Sequence, residues 1–354
     1  MAKLDIKEKK SLWDYLKTVK KPVVLYGMGN GAEKIHKELD RIGVRVDGVF
    51  ASDEFVRDQY FYDHKVITYS EAKKRFPDMV VLTAFGSHRD EVVSRIYGIA
   101  EEYELYAPDV PVYGDTLFDV EFYWKHEKEL NSVYAMLEDD MSKQVFCDIL
   151  NYKISGKLCY LRSSESSPEE AMQAVLKLAD DETYMDVGAY NGDTIQEFLE
   201  YVSGYRYIYA IEPDKKNFDK LLKNTGHLQC IEHIHTGVSK PGETTGTMTG
   251  SGRGAVRSNA AEKAKAEFDT IDNILHGREA TYIKYDIEGR EKEAIAGAQN
   301  TILRYKPKML VSAYHRSEDV FTLPLAVMEI RNDYKLYFRR YPCIPAWDMN
   351  YYFV

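Results

Sequence analysis

Twice in this chain a short apolar run breaks into a glycine-rich turn and then into a segment patterned like a helix. The first is Pro22-Val23-Val24-Leu25-Tyr26 running into Gly27-Met28-Gly29-Asn30-Gly31-Ala32. The second is Tyr184-Met185-Asp186-Val187 running into Gly188-Ala189-Tyr190-Asn191-Gly192. A strand followed at once by a helix rejoins its sheet as a parallel crossover, and such crossovers are right-handed. Each half of the chain is therefore expected to fold as an α/β layer around a mostly parallel sheet.

The first turn is followed by a helix from Ala32 to about Ile42, a strand from Val44 to Phe50, a helix around Ser70 to Arg75 and a strand from Met79 to Ala84. From Asp115 to Asp180 the pattern turns helical, with Phe118, Phe122, Tyr123, Leu130, Tyr134 and Leu137 at helix-like spacing. Ser167-Pro168-Glu169-Glu170 reads as a fresh helix start, serine as N-cap and proline in the first turn. The second half restarts the alternation, with strands near Tyr184–Val187, Tyr207–Ile211, Cys230–His235, Tyr282–Tyr285 and Met309–Ala313. It closes with two aromatic-rich strands, Tyr334–Phe338 and Asn350–Phe353, joined by a turn with Pro342 and Pro345, which form a hairpin because no helix separates them. A length of 354 residues accommodates two cores. The expected organisation is a smaller N-terminal Rossmann-like domain over 1–114, a C-terminal domain over 181–354, and between them a helical connector over 115–180 that packs on the C-terminal domain.

Charge and cysteine content narrow the partners. A formal net charge of -10 repels a polyanion over most of the surface, so nucleic acid is not expected. Cys147, Cys159, Cys230 and Cys343 lie far apart without a CxxC pair, so neither a zinc ribbon nor a disulfide framework is suggested and a reducing cytoplasm is the expected location. Met1 to Lys10 alternates in charge, unlike a secretory leader. Apolar runs such as Met79 to Leu82 are strand-sized, so no membrane span is expected.

At the second turn Gly188 and Gly192 let the backbone take left-handed conformations, and the helix that begins at Asp193-Thr194 offers free N–H groups. A pyrophosphate favours bare N–H groups, whereas Asp186 and Asp193 put carboxylates there; acidic neighbours suit a cationic nucleoside such as S-adenosylmethionine over NAD. Glu212 ends the next strand, 26 positions past Asp186, where carboxylates bind ribose hydroxyls.

The run Asp186-Val187-Gly188-Ala189, Gly192-Asp193-Thr194, Glu212-Pro213, Thr270-Ile271-Asp272, Tyr282-Ile283-Lys284-Tyr285-Asp286-Ile287-Glu288-Gly289, then Ala294, Gly297, Pro307-Lys308 and Tyr314-His315, resembles the FkbM family of methyltransferases in order and spacing. The resemblance covers roughly residues 137–354. It implies a class I Rossmann-like methyltransferase sheet with a C-terminal β-hairpin, S-adenosylmethionine as methyl donor, and an alcohol oxygen on a sugar, glycan or small natural product as acceptor. Matched by position, Asp186, Gly188, Ala189, Tyr190, Gly192 and Glu212 fall in the cofactor site. Tyr190 stands where methyltransferases often have glycine.

Asp286 and Glu288 follow strand Tyr282–Tyr285, and Asp286, read as both cofactor-facing and catalytic, is the leading site residue because open α/β sheets bind ligands outside the carboxyl ends of their strands. His315, past the next strand, either takes the acceptor proton, orients the base, or simply orders a loop against a carboxylate. Asp286 with Glu288 could hold a hard cation such as magnesium, but no metal is expected. Gly242 to Gly254, with Arg253 and Arg257 near its end and a polar helix from Ser258 to Glu267, reads as a solvated loop or a lid gripping an anionic acceptor. Tyr341 and Trp347 could stack on a sugar face or simply pack.

In the first domain Gly27, Gly29 and Ala32 spell GxGxxA, with Asp53 26 residues past Gly27. This leaves open a nucleotide or sugar-nucleotide site, to which the basic run Lys17 to Lys21 and the segment Phe85-Gly86-Ser87-His88-Arg89 could add phosphate contacts, or a module that presents substrate or forms a homo-oligomer. If NAD(P) were bound and used there, an oxidoreductase would be the alternative enzyme; a non-catalytic nucleotide sensor is the third reading.

Overall fold

The computed structural model describes residues 4–248 and 264–354. The chain divides into two compact units. One comprises Met1–Ala135, Asp140–Ser166 and Arg340–Met349, the other Met136–Asp139, Ser167–Arg339 and Asn350–Val354.

In the first unit the apolar runs become β1 (Val23–Tyr26), β2 (Gly48–Ala51) and β5 (Val80–Thr83), joined by β3 (Tyr60–Phe61), β4 (His64–Thr68) and β6 (Glu104–Tyr106) in the order β3-β4-β2-β1-β5-β6. All pairings are parallel except the β3–β4 hairpin. The helix Asn30–Arg41 starts directly after Gly29 and lays Ala32, Ile35 and Leu39 into the core, where they meet Leu25, Val49 and Leu82.

Residues 115–135 and 140–166, read from the sequence as part of a connector, lie in the first unit. The physical cause is polar as much as apolar. Asn151 in the helix Asp140–Ser155 accepts hydrogen bonds from the amides of Lys7 and Glu8, at 2.8 and 3.1 Å, and returns one to the carbonyl of Asp5. Lys153 on the same helix forms an ion pair with Asp109 at 2.9 Å, both side chains being almost fully buried. After the break, Ser167 caps the turn Pro168–Glu170 through the amide of Glu170.

The second unit is built on β7 (Thr183–Val187), β8 (Tyr207–Ile211), β9 (Ile231–Ile234), β13 (Tyr282–Tyr285), β14 (Lys308–Ser312), β15 (Leu336–Arg340) and β16 (Met349–Phe353), in the order β15-β16-β14-β13-β7-β8-β9. The five strands from β14 to β9 are parallel, and β16 runs antiparallel to β14. Reciprocal bonds between Lys335 and Val354 begin the closing hairpin. This is a mixed α/β sheet, parallel with a closing antiparallel hairpin, as expected. A small sheet is formed by β10 (Gly237–Val238), β12 (Ala264–Asp269) and β11 (Thr245–Met248), with β12 central. The polar helix expected from Ser258 to Glu267 is therefore strand from Ala264 on: pairing with β11 and β10 satisfies its backbone groups and overrides the local preference. Arg253, Arg257 and the rest of 249–263 lie outside the described residues.

No helix among the described residues is long and apolar enough to cross a membrane. Removing one partner of the buried Lys153–Asp109 pair leaves an uncompensated charge, which costs about 3–5 kcal/mol. Lys153→Ala is expected to lower unfolding stability by that amount in urea titrations; a loss under about 1 kcal/mol, the size of an exposed ion pair, contradicts this placement.

Candidate active site

The turn after β7 is held by close approach on every side. Gly188 has φ +95° and Gly192 φ +87°, a region side chains disfavour. A Cβ on Gly188 would lie 2.0 Å from the Asp286 carbonyl oxygen, and one on Gly192 would lie 2.6 Å from Thr225 Cγ2. The amides of Gly188 and Ala189 both donate to the carbonyl of Ile211, which joins the turn to the end of β8. Ala189 is buried, Tyr190 takes φ +47°, and Gly192 leads into the helix Asp193–Tyr201.

Glu212, at the end of β8, is 6% exposed. One carboxylate oxygen accepts from the amide of Tyr190 at 2.9 Å and the other from the amide of Asp214 at 2.8 Å. Burial pushes its pKa up to about 7 against the pull of those two amides. A carboxylate has about four acceptor positions, so two amides leave room for two hydroxyl donors.

Asp186, fully buried at the end of β7, accepts a hydrogen bond from the Thr194 hydroxyl. Lys284, in the middle of β13, puts its ammonium 3.7 Å from Asp186 and 3.7 Å from Asp286. Burial alone would push the lysine down, but Asp186 and Asp286 outweigh it and hold its pKa above the usual value. Burial raises Asp186, opposed by Lys284 and Thr194.

Asp286 follows β13, with its side chain 26% exposed. Its Oδ1 accepts from the Tyr314 hydroxyl at 3.1 Å and lies 3.4 Å from His315 Nε2. His315 is fully buried: Nδ1 is 2.9 Å from Glu291 and Nε2 is 4.0 Å from Glu288, yet neither nitrogen is aligned for a hydrogen bond. Burial would lower the imidazole, but Glu291, with Asp286 and Glu288, raises its pKa to about 9. Among these carboxylates the ring favours its protonated form. Its position beside three carboxylates suits His315 to orient and neutralise them, one of the roles considered for it. Glu288 takes φ +56° and Gly289 φ +94°, a tight turn whose amides, Ile287 and Gly289, donate to Glu291. Arg316 ties the turn from the other side, donating to the Gly289 carbonyl at 2.8 Å.

Other sequence candidates find different uses. Gly27 and Gly29 lie under Phe85, whose atoms would be 2.3 and 2.9 Å from a Cβ at each. Asp53 accepts from the amide of Tyr69 and the hydroxyl of Ser70, holding the start of the helix Tyr69–Arg75. Lys17 and Lys21 form ion pairs with Asp14 and Asp78. Trp347 packs its ring where a Cβ on Gly86 would stand, and it and Tyr341 belong to the first unit.

Three contributors escape a reading by motif. Lys284 had a visible signal, a lysine inside a strand otherwise apolar. Arg290 pairs with Glu243 at 2.9 Å, donates to Ser239 and stacks 4.5 Å over Phe268, contacts joining distant parts of the sequence. Asp319 is 2% exposed, and its pKa is raised to about 7 by burial and by Glu291.

The folded-state pKa of His315 lies above the ordinary value of about 6.5, so its stabilising contribution is full below that pH and is lost as pH rises through about 9. Wild-type protein is expected to lose thermal stability from about pH 7 to about pH 9, and His315→Gln to lose less across that window, followed by circular dichroism. Equal losses contradict the buried imidazolium.

Residues 186–336 match the methyltransferase FkbM domain family. Among solved structures, a methyltransferase FkbM from Methylobacillus flagellatus KT superposes with a TM-score of 0.69 at 21% identity, covering 94% of this chain and 90% of that one. At this identity the likeness is one of fold. An Aeropyrum pernix fibrillarin in complex with natively bound S-adenosyl-L-methionine gives a TM-score of 0.33 at 12% identity over 50% of this chain and 67% of that one. An rRNA methylase from Streptococcus thermophilus gives 0.30 at 13% identity over 50% and 87%. Likenesses that slight bear on nothing further. No curated protein matches the chain. The resemblance read from the sequence is met by this match to the methyltransferase FkbM domain, which spans residues 186–336 and so less than half of the chain.

Proposed function

We propose that the second unit binds S-adenosylmethionine between the Asp186–Gly192 turn and Glu212 and methylates a hydroxyl oxygen on a sugar, glycan or small natural product. The observation that carries this reading is the Asp286 carboxylate. It is partly exposed just past the carboxyl end of β13, the strand paired with β7, and is positioned by Tyr314 and His315. The residues present suit a cationic nucleoside: Asp186, Asp193, Glu212 and Asp286 surround the turn, and Lys284 offsets part of their charge. Glu212 keeps acceptor capacity for ribose hydroxyls.

When bound, the cofactor supplies a methyl group on a sulfonium, an electrophile that needs no further activation. The chain's own task is to place the acceptor oxygen in line with that methyl and to take up the hydroxyl proton. Transfer to the acceptor oxygen would leave the C–S electron pair on sulfur, and Asp286 would take the hydroxyl proton. Placement is worth up to about 7–11 kcal/mol, more than the roughly 3–5 kcal/mol of a general base. The base sharpens a reaction that positioning already accelerates.

Calorimetry with S-adenosylmethionine, its demethylated product and NAD tests the binding half. Binding of the first two, weakened about tenfold or more in Glu212→Ala, supports the reading. Binding of NAD alone sinks it. With an acceptor in hand, Asp286→Asn is expected to keep cofactor affinity while turnover falls about 10²- to 10⁴-fold. Unchanged turnover removes Asp286 from the chemistry.

A further inference from the structure

We infer that Asp286, Glu291 and His315 form a site for one divalent first-row transition cation, with Mn²⁺ as the paramagnetic ion that reads it. One carboxylate oxygen of Asp286, one of Glu291 and a ring nitrogen of His315 lie within 4.8 Å of one another. Ligands at about 2.0–2.6 Å from a common ion stand at most roughly 5 Å apart, so the three need little movement to close on one.

The second observation is independent of that clustering. Glu291 and His315 are 1% and 0% exposed, and Glu291 Oε2 and both imidazole nitrogens make no hydrogen bond. Buried polar atoms are paired as a rule, and an exception calls for a specific cause, an absent ion among them. Charge points the same way. Asp286, Glu288 and Glu291 all lie within 4.0 Å of the one imidazole, an anionic pocket in which a dication takes the place of the ring proton, released to solvent as the metal binds.

The ligand types select among metals. Two carboxylates with one imidazole suit ions that accept both oxygen and nitrogen, whereas magnesium and calcium prefer oxygen alone. Asp286 gives access, since its side chain remains 26% exposed while the other two ligands are covered. The inference rests on the proposed reading only for its use: a cation held there would bind and acidify the acceptor hydroxyl, and the proton would then pass to Glu288 or to solvent in place of Asp286. It departs from the expectation, drawn from sequence, that the site is metal-free.

The test is an electron paramagnetic resonance titration of the metal-stripped full chain with Mn²⁺, with calorimetry for S-adenosylmethionine on the same samples. Expected are loss of the free-ion signal up to one equivalent, nitrogen coupling from one histidine in the echo-modulation spectrum, and affinity weakened about tenfold or more in Asp286→Asn and His315→Gln. The nitrogen coupling vanishes in His315→Gln. Should that variant fail to fold, Asp286→Asn, altered at a partly exposed position, and the wild-type nitrogen coupling decide the matter. Absence of Mn²⁺ binding, unchanged affinity in Asp286→Asn, or a bound ion without nitrogen coupling overturns the site. Nucleoside binding without Mn²⁺ binding removes the metal and leaves the methyltransferase reading; Mn²⁺ binding without the nucleoside does the reverse.

Discussion

Lys284 places a full positive charge in the middle of a parallel sheet, 3.7 Å from Asp186 on one strand end and 3.7 Å from Asp286 on the next. Taking an ammonium and a carboxylate out of water costs several kcal/mol each, so such a residue persists only where its partners are held in place. The glycine at 188 lets the backbone pass against the Asp286 carbonyl, and that contact brings the two carboxylates to one cation. Replacing the lysine would leave Asp186, buried and already raised by desolvation, without its main counter-charge. The turn, the sheet edge and the ionisation of the site all depend on this one arrangement.

Around it, the edge is organised by carboxylates that differ in exposure. Glu212 and Glu291 are buried and accept from backbone amides, which shapes the two loops that flank the strand ends. Asp286 combines firm positioning with access, with Tyr314 on one side and the His315 ring on the other. Environment thus separates carboxylates that are covered from one that is open to an acceptor.

The sequence made the sheet legible because burial on both faces leaves near-continuous apolar runs: β7, β8 and β13 fall within a residue of where those runs place them. Asp186, Gly188, Glu212 and Asp286 were readable as one site for a topological reason, since parallel strands deliver their carboxyl ends to the same edge. The features that escaped depend on contacts between distant segments. The surroundings of His315 are set by Glu291, 24 positions earlier, which lies against it. The helix Asp140–Ser155 joins the first unit through Asn151 and Lys153, whose partners are over forty residues away. In the first unit the glycine fingerprint is accounted for by Phe85, and no sequence pattern distinguishes a glycine that admits a phosphate from one that admits a phenyl ring.

The central claim is that the acidic turn after β7, rather than the glycine turn after β1, receives the nucleoside. A crystal structure of the full chain with S-adenosylhomocysteine tests it most directly. Density for the nucleoside beside Gly188 to Gly192, its ribose hydroxyls on the Glu212 carboxylate, is the expected result. Density beside Gly27 and Gly29 with the second turn empty would contradict it.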